Sequence, residues 1–282
     1  MINYYLLTKP GIVLGNLVTF AAGFLLASKG EINLKLFFVT LLGLALTMAS
    51  ACVFNNYIDR QLDKKMQRTK NRSLVTGLIA GRNAIAFAIA LGLLGALILL
   101  LYTNPITLGV TAIGYFVYVV LYSLWKSKTI YGTAIGSIAG AVPPVVGYCA
   151  VSNQLDLGAL ILFTMLVLWQ MPHFFSIALS HFDDYKAANI PVLPVKKGLL
   201  RTKVHMLLYI VAFILVAILL TLFNYTGYIY LLATMIFGFM WLALSIQGFQ
   251  NNNTQKWGRQ MFGLSLLTIM SISIIIPFDL YR

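Results

Sequence analysis

The chain has 282 residues, of which 60% are hydrophobic and only 10% charged. Water-soluble domains carry about 25% charged residues, so an ordinary soluble fold is excluded. The net charge of +13 falls in segments between apolar runs, the pattern of membrane topology, and is no sign of nucleic-acid binding.

Apolar runs near 20 residues long follow one another, each long enough to cross a bilayer as a helix, and none alternates as a membrane strand would. Nine spans are expected, near 11–28, 36–56, 83–102, 106–125, 133–152, 157–181, 205–223, 228–248 and 261–278. The predicted class is all-α, a polytopic membrane protein of nine transmembrane helices in one bundle, with a single domain over 1–282. Lys9 is the sole basic residue before the first run, and that run is long enough to span, which does not suit a cleaved signal.

The second run opens directly into NNYIDRQLDKKMQRTKNR, residues 55–72. Asn55, Asp59 and Asp63 recur every four residues, so on a helix they stack along one face. Two carboxylates so placed repel unless a cation lies between them. Arg60, Lys64, Lys65, Arg68, Lys70 and Arg72 surround them, with Arg82 just beyond. Carboxylates beside a basic cluster suit Mg²⁺ bridging the protein to substrate phosphates, with Lys and Arg neutralising the remaining charge. The alternative is a salt-bridged cytoplasmic loop, since such loops are basic anyway.

In span four Tyr115, Tyr118 and Tyr122 share a face, which could line an isoprenoid tunnel, stabilise a carbocation, or simply pack. Span five, TAIGSIAGAVPPVVGYCAVS, is rich in small residues that let helices approach closely and is expected inside the bundle, kinked or broken at Pro143 and Pro144. Cys52 and Cys149 fall near opposite membrane faces, so no disulfide is expected between them.

Span six leads into LWQMPHFFSIALSHFDDYKAANIPVLPVKKG, residues 168–198. Gln170 and His173 are costly in lipid and should face the interior. Pro172 should weaken the helix just before His173. His173 could ligate iron, move a proton or orient a substrate, or could be an interior histidine on a backbone carbonyl. His181 and His205 read as interfacial. Asp183 and Asp184 form a second acidic cluster, of which one member must point away. Tyr185 and Lys186 could reach a phosphate or anchor the interface.

With the N-terminus in the cytoplasm, 17 of the 20 basic residues fall on the inner face and only Lys29, Lys35 and Arg282 on the outer. That asymmetry predicts a multi-pass protein of the cell membrane with a cytoplasmic N-terminus and an external C-terminus. It also puts both acidic clusters at the cytoplasmic face, where they could meet over a shared cavity.

These residues resemble a known family. The spacing of Asn55, Asp59 and Asp63 resembles the first Asp-rich motif of the UbiA superfamily of intramembrane prenyltransferases, and RTKNRSL, residues 68–74, its basic diphosphate-binding segment, with Ser73 where many members have Pro. QMPHF, DYKAANIPVLPV, TKPGIVLGNL and GSIAGAVPPVVGYCA resemble the protohaem IX farnesyltransferase branch. Many superfamily members carry a second DxxxD; here Ser180 stands four residues before Asp184, as suits the haem branch better than the quinone branch. The resemblance covers nearly the whole chain. It implies a central cavity, Mg²⁺ on Asn55, Asp59, Asp63, Asp183 and Asp184, and a diphosphate held by Arg68, Lys70 and Arg72 with Tyr185 and Lys186. It also implies farnesyl diphosphate and haem B as substrates and haem O as product; His173, inside span six after Pro172 and 11 residues before Asp184, is expected to face the cavity and help position the haem. Partners would be the bilayer and haem-handling or oxidase-assembly proteins. The rivals are a UbiA-type enzyme acting on a quinone precursor, an ion-coupled transporter and a non-catalytic haem receptor. The acids at a bundle mouth beside long basic loops speak against transport, where sites lie near the midplane.

Overall fold

The computed structural model describes residues 2–251 and 253–280; Arg282, assigned above to the outer face, lies outside them. A short helix α1 (Ile2–Leu7) precedes α2 (Pro10–Ser28), α3 (Leu34–Asp63) and α4 (Gly81–Tyr102). The fourth span is compound: α5 (Pro105–Phe116), a π-helical stretch Val117–Tyr122 and α6 (Ser123–Trp125). The fifth is split into α7 (Gly132–Gly140) and α8 (Val142–Ser152). Then come α9 (Leu157–Ser180), two short helices α10 (Phe182–Ala187) and α11 (Leu193–Lys197), and the long α12 (Leu199–Leu222), α13 (Tyr228–Gln247) and α14 (Thr254–Ile275). Among the described residues nine helical segments are long and apolar enough to cross a membrane.

Local chemistry sets the boundaries. Asn33, Asn104, Asp156 and Asn253 cap the starts of α3, α5, α9 and α14 by accepting a backbone N–H, and Pro follows the cap in α5. The split in the fifth span comes where Pro143 and Pro144 would stand in a helix interior; they occupy the first turn of α8 instead, where no N–H is needed. Pro172 lies inside α9, which runs through it without a break. The helix of the seventh span, expected from residue 205, begins at Leu199, so Arg201 and Lys203 lie on it rather than in a loop.

α9 is the hub, packed on α7, α8, α12 and α14, while α3 lies along α4 and α2 along α8. The fifth span is the most enclosed of the nine, as its small residues require. Gly23 of α2 faces the Pro144 carbonyl and Gly147 of α8 faces the Phe20 carbonyl; an added Cβ at either would strike backbone. The two helices therefore touch through bare main chain. Gly23→Val is expected to destabilise the protein by about 1–3 kcal/mol through overpacking, read as a lower midpoint of thermal inactivation in detergent. α4 by contrast presents Leu93, Leu97, Leu100 and Leu101 outward, the face that lipid covers.

Candidate active site

The last three turns of α3 carry Asn55, Asn56, Asp59 and Asp63, all buried although all are polar. A buried carboxylate needs a partner, and each finds one from a different part of the chain. Lys126, just past α6, forms an ion pair with Asp59 Oδ2. Arg72 donates to Asp63 Oδ2 at 2.8 Å and to Asn56 Oδ1 at 3.2 Å. Lys9 donates to Asn55 Oδ1 at 2.6 Å. The far ends of the two asparagines are also fixed: Asn55 Nδ2 donates to Ser123 Oγ at 2.9 Å and Asn56 Nδ2 to the Leu7 carbonyl at 2.8 Å.

The π-helical stretch explains how Ser123 gets there. The wider turn lets its hydroxyl donate to the Tyr118 carbonyl five residues back at 3.0 Å. The same stretch stacks Tyr118 on Tyr122, with ring centroids 5.4 Å apart, and the Lys126 ammonium lies 5.0 Å from the Tyr122 ring centroid. An aromatic pair thus borders the carboxylates.

The two long loops meet over this mouth. Met66 is buried against Ala188, Ile190 and Tyr185. Asp184 accepts from the backbone N–H of Gln67 at 3.0 Å and of Arg68 at 3.4 Å. Thr69 is buried and donates to the Asp63 carbonyl at 3.1 Å, pinning the loop to the end of α3. Loss of water on burial lowers the Lys9 ammonium to about 8, reinforced by Lys126 and Arg72 and opposed by Cys52 and Asp59. Burial raises the Tyr185 phenol and lowers the His181 imidazole, with Arg68 opposing the first and favouring the second.

The expected site residues divide accordingly. Asn55, Asp59, Asp63 and Arg72 come together. Asp184 is held on the loop backbone and is not gathered with Asp59 and Asp63; among the described residues no three acidic, His or Cys side chains form a metal cluster. Asp183 departs from the expected ligand set: exposed, it accepts from Gln255 Nε2 at 2.9 Å, because adjacent residues on a short helix cannot face the same way. Arg68, Lys70 and Lys186 are exposed at the mouth. His173 is buried between α9 and α14, with Nδ1 2.7 Å from Ser265 Oγ rather than on a backbone carbonyl. Cys52 and Cys149 are both free.

Two of the central groups, Lys9 and Lys126, were visible in the sequence only as topology-marking charges. The signal that could have found Lys126 is its place one turn after Tyr122, on the aromatic face of span four.

The residues also fit a divalent cation. Asp59 Oδ1 is buried with no hydrogen-bond partner, and an orphaned carboxylate oxygen flanked by Asp63 and Asn55 oxygens is the hard donor set that Mg²⁺ takes. Lys126 meanwhile holds the other Asp59 oxygen, and Arg72 and Lys9 hold the Asp63 and Asn55 oxygens.

Comparison with known proteins agrees with this geometry. A profile of the UbiA prenyltransferase family matches residues 16–269. The chain is 60% identical over 281 residues to a protoheme IX farnesyltransferase of Protochlamydia amoebophila, covering 99% of each chain. It is 52% identical over 279 residues to protoheme IX farnesyltransferase 1 of a Shewanella species, covering 98% of this chain and 89% of the other. Among solved structures, one of digeranylgeranylglyceryl phosphate synthase superposes with a TM-score of 0.76 at 18% identity, covering 96% of this chain and 98% of that one. A UbiA homologue from Archaeoglobus fulgidus bound to GPP and Mg²⁺ superposes with a TM-score of 0.64 at 16% identity, covering 98% and 99%. With nine apolar helical segments among the described residues, a buried row of Asn and Asp at the end of one of them, and relatives this similar along nearly the full length, the chain belongs to the UbiA prenyltransferase family, among its protoheme IX farnesyltransferases.

Proposed function

We propose that this chain transfers the farnesyl group of farnesyl diphosphate to a vinyl group of haem B, with addition of water, to give haem O. The observation that carries the donor half is Asp59, a buried carboxylate with one oxygen on Lys126 and the other free. Mg²⁺ held by Asp59 and Asp63, with Asn55 as a further oxygen donor, would stabilise the diphosphate as a leaving group, while Asp184 holds the basic loop over the mouth through the Gln67 and Arg68 amides. Lys126 and Arg72, released from Asp59 and Asp63, and Lys9, released from the Asn55 amide oxygen, take up the charge that develops on the diphosphate. Arg68, Lys70 and Lys186 at the mouth, with Tyr185, attract and orient it. The stacked pair Tyr118 and Tyr122 presents ring faces where the allylic cation forms and stabilises it by cation–π attraction. Burial in the membrane keeps bulk water from quenching that cation. The acceptor lies deeper, near His173, which sits seven residues before the end of α9 at Ser180, about 10 Å into the bundle.

The whole chain acts as one domain, in the cell membrane, with the N-terminus and both long loops in the cytoplasm and the C-terminus outside. Haem-handling or oxidase-assembly proteins supply the acceptor and take the product. The asymmetry of basic residues supports that orientation. Reporter fusions after Arg72 and after Lys196 should both report the cytoplasm, and a fusion after Leu155 the outside; an external signal from either long loop would break the shared site.

The reaction is tested by supplying haem B and farnesyl diphosphate to membranes that contain the protein and analysing the extracted haems. Conversion to haem O that requires Mg²⁺ is the expected result. Prenylation of an added quinone precursor, with haem B untouched, would place the chain with the aromatic-ring enzymes instead.

A further inference from the structure

Two polar groups on α9 are left unused by the diphosphate chemistry. Gln170 is 4% exposed, and its Oε1 has no hydrogen-bond partner. A buried amide oxygen without a donor is destabilising, and the donor small enough to reach it is water. The amide lies against Gly140, where an added Cβ would strike it. Gly140 ends α7 at the break in span five. Pro143 and Pro144 beyond the break have no N–H, so the carbonyls of Ala139 and Gly140 lack their usual helical donors. Gln170 therefore sits at a polar interruption in the bundle.

His173 follows three residues later on the same helix. Its Nδ1 is 2.7 Å from Ser265 Oγ, and Ser265 Oγ donates to the Phe262 carbonyl at 2.6 Å. The single hydroxyl proton is thereby committed to Phe262, so Nδ1 carries the ring proton and Nε2 is a lone pair. The ring is clamped between Trp169 and Phe262, with centroids 4.7 Å and 4.9 Å away. Trp169 Nε1 donates to the Ser265 carbonyl at 2.9 Å, which fixes the clamp to α14. This neighbourhood adjoins the donor side: a Cβ added at Gly136 of α7 would lie 2.9 Å from the Tyr122 ring and 3.7 Å from Phe174, the residue after His173.

We propose that Gln170 and His173 handle the water that the reaction consumes, an assignment that rests on the farnesyl-transfer reading above. The C1–O bond of farnesyl diphosphate breaks with its electron pair leaving on the diphosphate. C1 bonds to the outer vinyl carbon of the haem, and the inner vinyl carbon becomes electron-deficient beside the porphyrin. Gln170 Oε1 accepts one O–H of a water and aims its oxygen at that carbon. As the new C–O bond forms, the other proton passes to His173 Nε2, and the imidazolium later returns it to solvent. No group is oxidised or reduced. Without a held water and a base, the same cation loses a proton from the neighbouring carbon and yields an alkene lighter by one water. Ser265 is a positioning residue, setting the tautomer.

The readout is the ratio of hydroxylated to dehydrated prenyl-haem, measured by mass spectrometry of haems extracted from membranes given haem B and farnesyl diphosphate. Gln170→Met, close in shape but without the amide, should lower the ratio about tenfold. His173→Gln, which still fills the aromatic clamp, should lower it roughly a hundredfold. Ser265→Ala should lower it less, with kcat falling and KM for farnesyl diphosphate unmoved. If Gln170→Met does not accumulate, Gln170→Asn reads the same ratio with a shortened amide. Prenylated haem with an unchanged ratio in the Gln170 and His173 variants overturns the assignment. So does a shifted haem absorption band in His173→Gln with the ratio unchanged, since His173 would then be an iron ligand. Absence of any prenylated haem from the unaltered protein overturns the farnesyl-transfer reading, and this one with it.

Discussion

Asp59→Asn is expected to lower prenyl transfer by about a thousandfold, the scale on which removal of one preorganised electrostatic group acts. The substitution deletes the one buried carboxylate oxygen among the described residues that has no protein partner, the atom best placed for a divalent cation. It also strands Lys126, whose side chain is largely buried in the ion pair. Breaking a buried pair from one side costs about 3 kcal/mol or more, so loss of activity alone would be ambiguous. The double variant Asp59→Asn, Lys126→Met removes both charges and should recover much of the thermal stability in detergent while staying inactive. If Asp59→Asn keeps near-normal turnover in a folded protein, the assignment of metal and diphosphate to this end of α3 is wrong. Recovery of activity in the double variant would show that the carboxylate matters only as a counter-ion.

Arg72→Ala should raise the KM for farnesyl diphosphate by about tenfold to a hundredfold, with haem affinity little changed. Arg72 holds Asp63 and Asn56 together, and Asn56 in turn holds the Leu7 carbonyl just ahead of Lys9. One substitution therefore removes a phosphate-binding charge and loosens the wall that positions a second. A charge-assisted hydrogen bond is worth about 1.5–3 kcal/mol, which is the range of that KM change. Donor titrations at two acceptor concentrations separate the outcomes. Weakened haem binding with an unmoved donor KM would reverse the roles assigned to the basic segment and to His173.

Much of this was legible from residue order because membrane proteins write their architecture in long apolar runs. The nine spans, the interior character of span five and the face shared by Asn55, Asp59 and Asp63 all follow from period and composition. The expected second span stops near residue 56, whereas α3 runs on to Asp63, about two turns past the apolar stretch, carrying the shared face with it. What could not be read was partnership across distance. Lys9 and Lys126 reach Asn55 and Asp59 across 46 and 67 residues of sequence, and a lysine at the inner end of a span already has an ordinary explanation. Which of Asp183 and Asp184 turns inward depends on where α10 begins, a boundary that one residue shifts by about 100°. Pro172 lies within α9 without breaking it. A helix as enclosed as α9 retains its course after losing one hydrogen bond, because its neighbours fix it.

The contact between Asp184 and the Gln67 amide spans 117 residues, and this has a bearing on how the protein is made. A ribosome delivers α3 long before α9, so the nascent chain enters the bilayer with Asp59 and Asp63 at the membrane surface and their cations still unsynthesised. Arg72 arrives within three turns' worth of chain, but Lys126 comes only with the fourth span, and the clasp from Asp184 only with the sixth. Until then the basic loop is tied only to the end of α3, through Thr69 and Arg72, and lacks its clasp from the second long loop. A nascent chain arrested after the fourth span should therefore pair Asp59 with Lys126 yet remain open to protease between Lys64 and Arg72. Protection of that stretch would first be gained when residues 182–192 clear the translocation machinery, making the loop a clock for assembly.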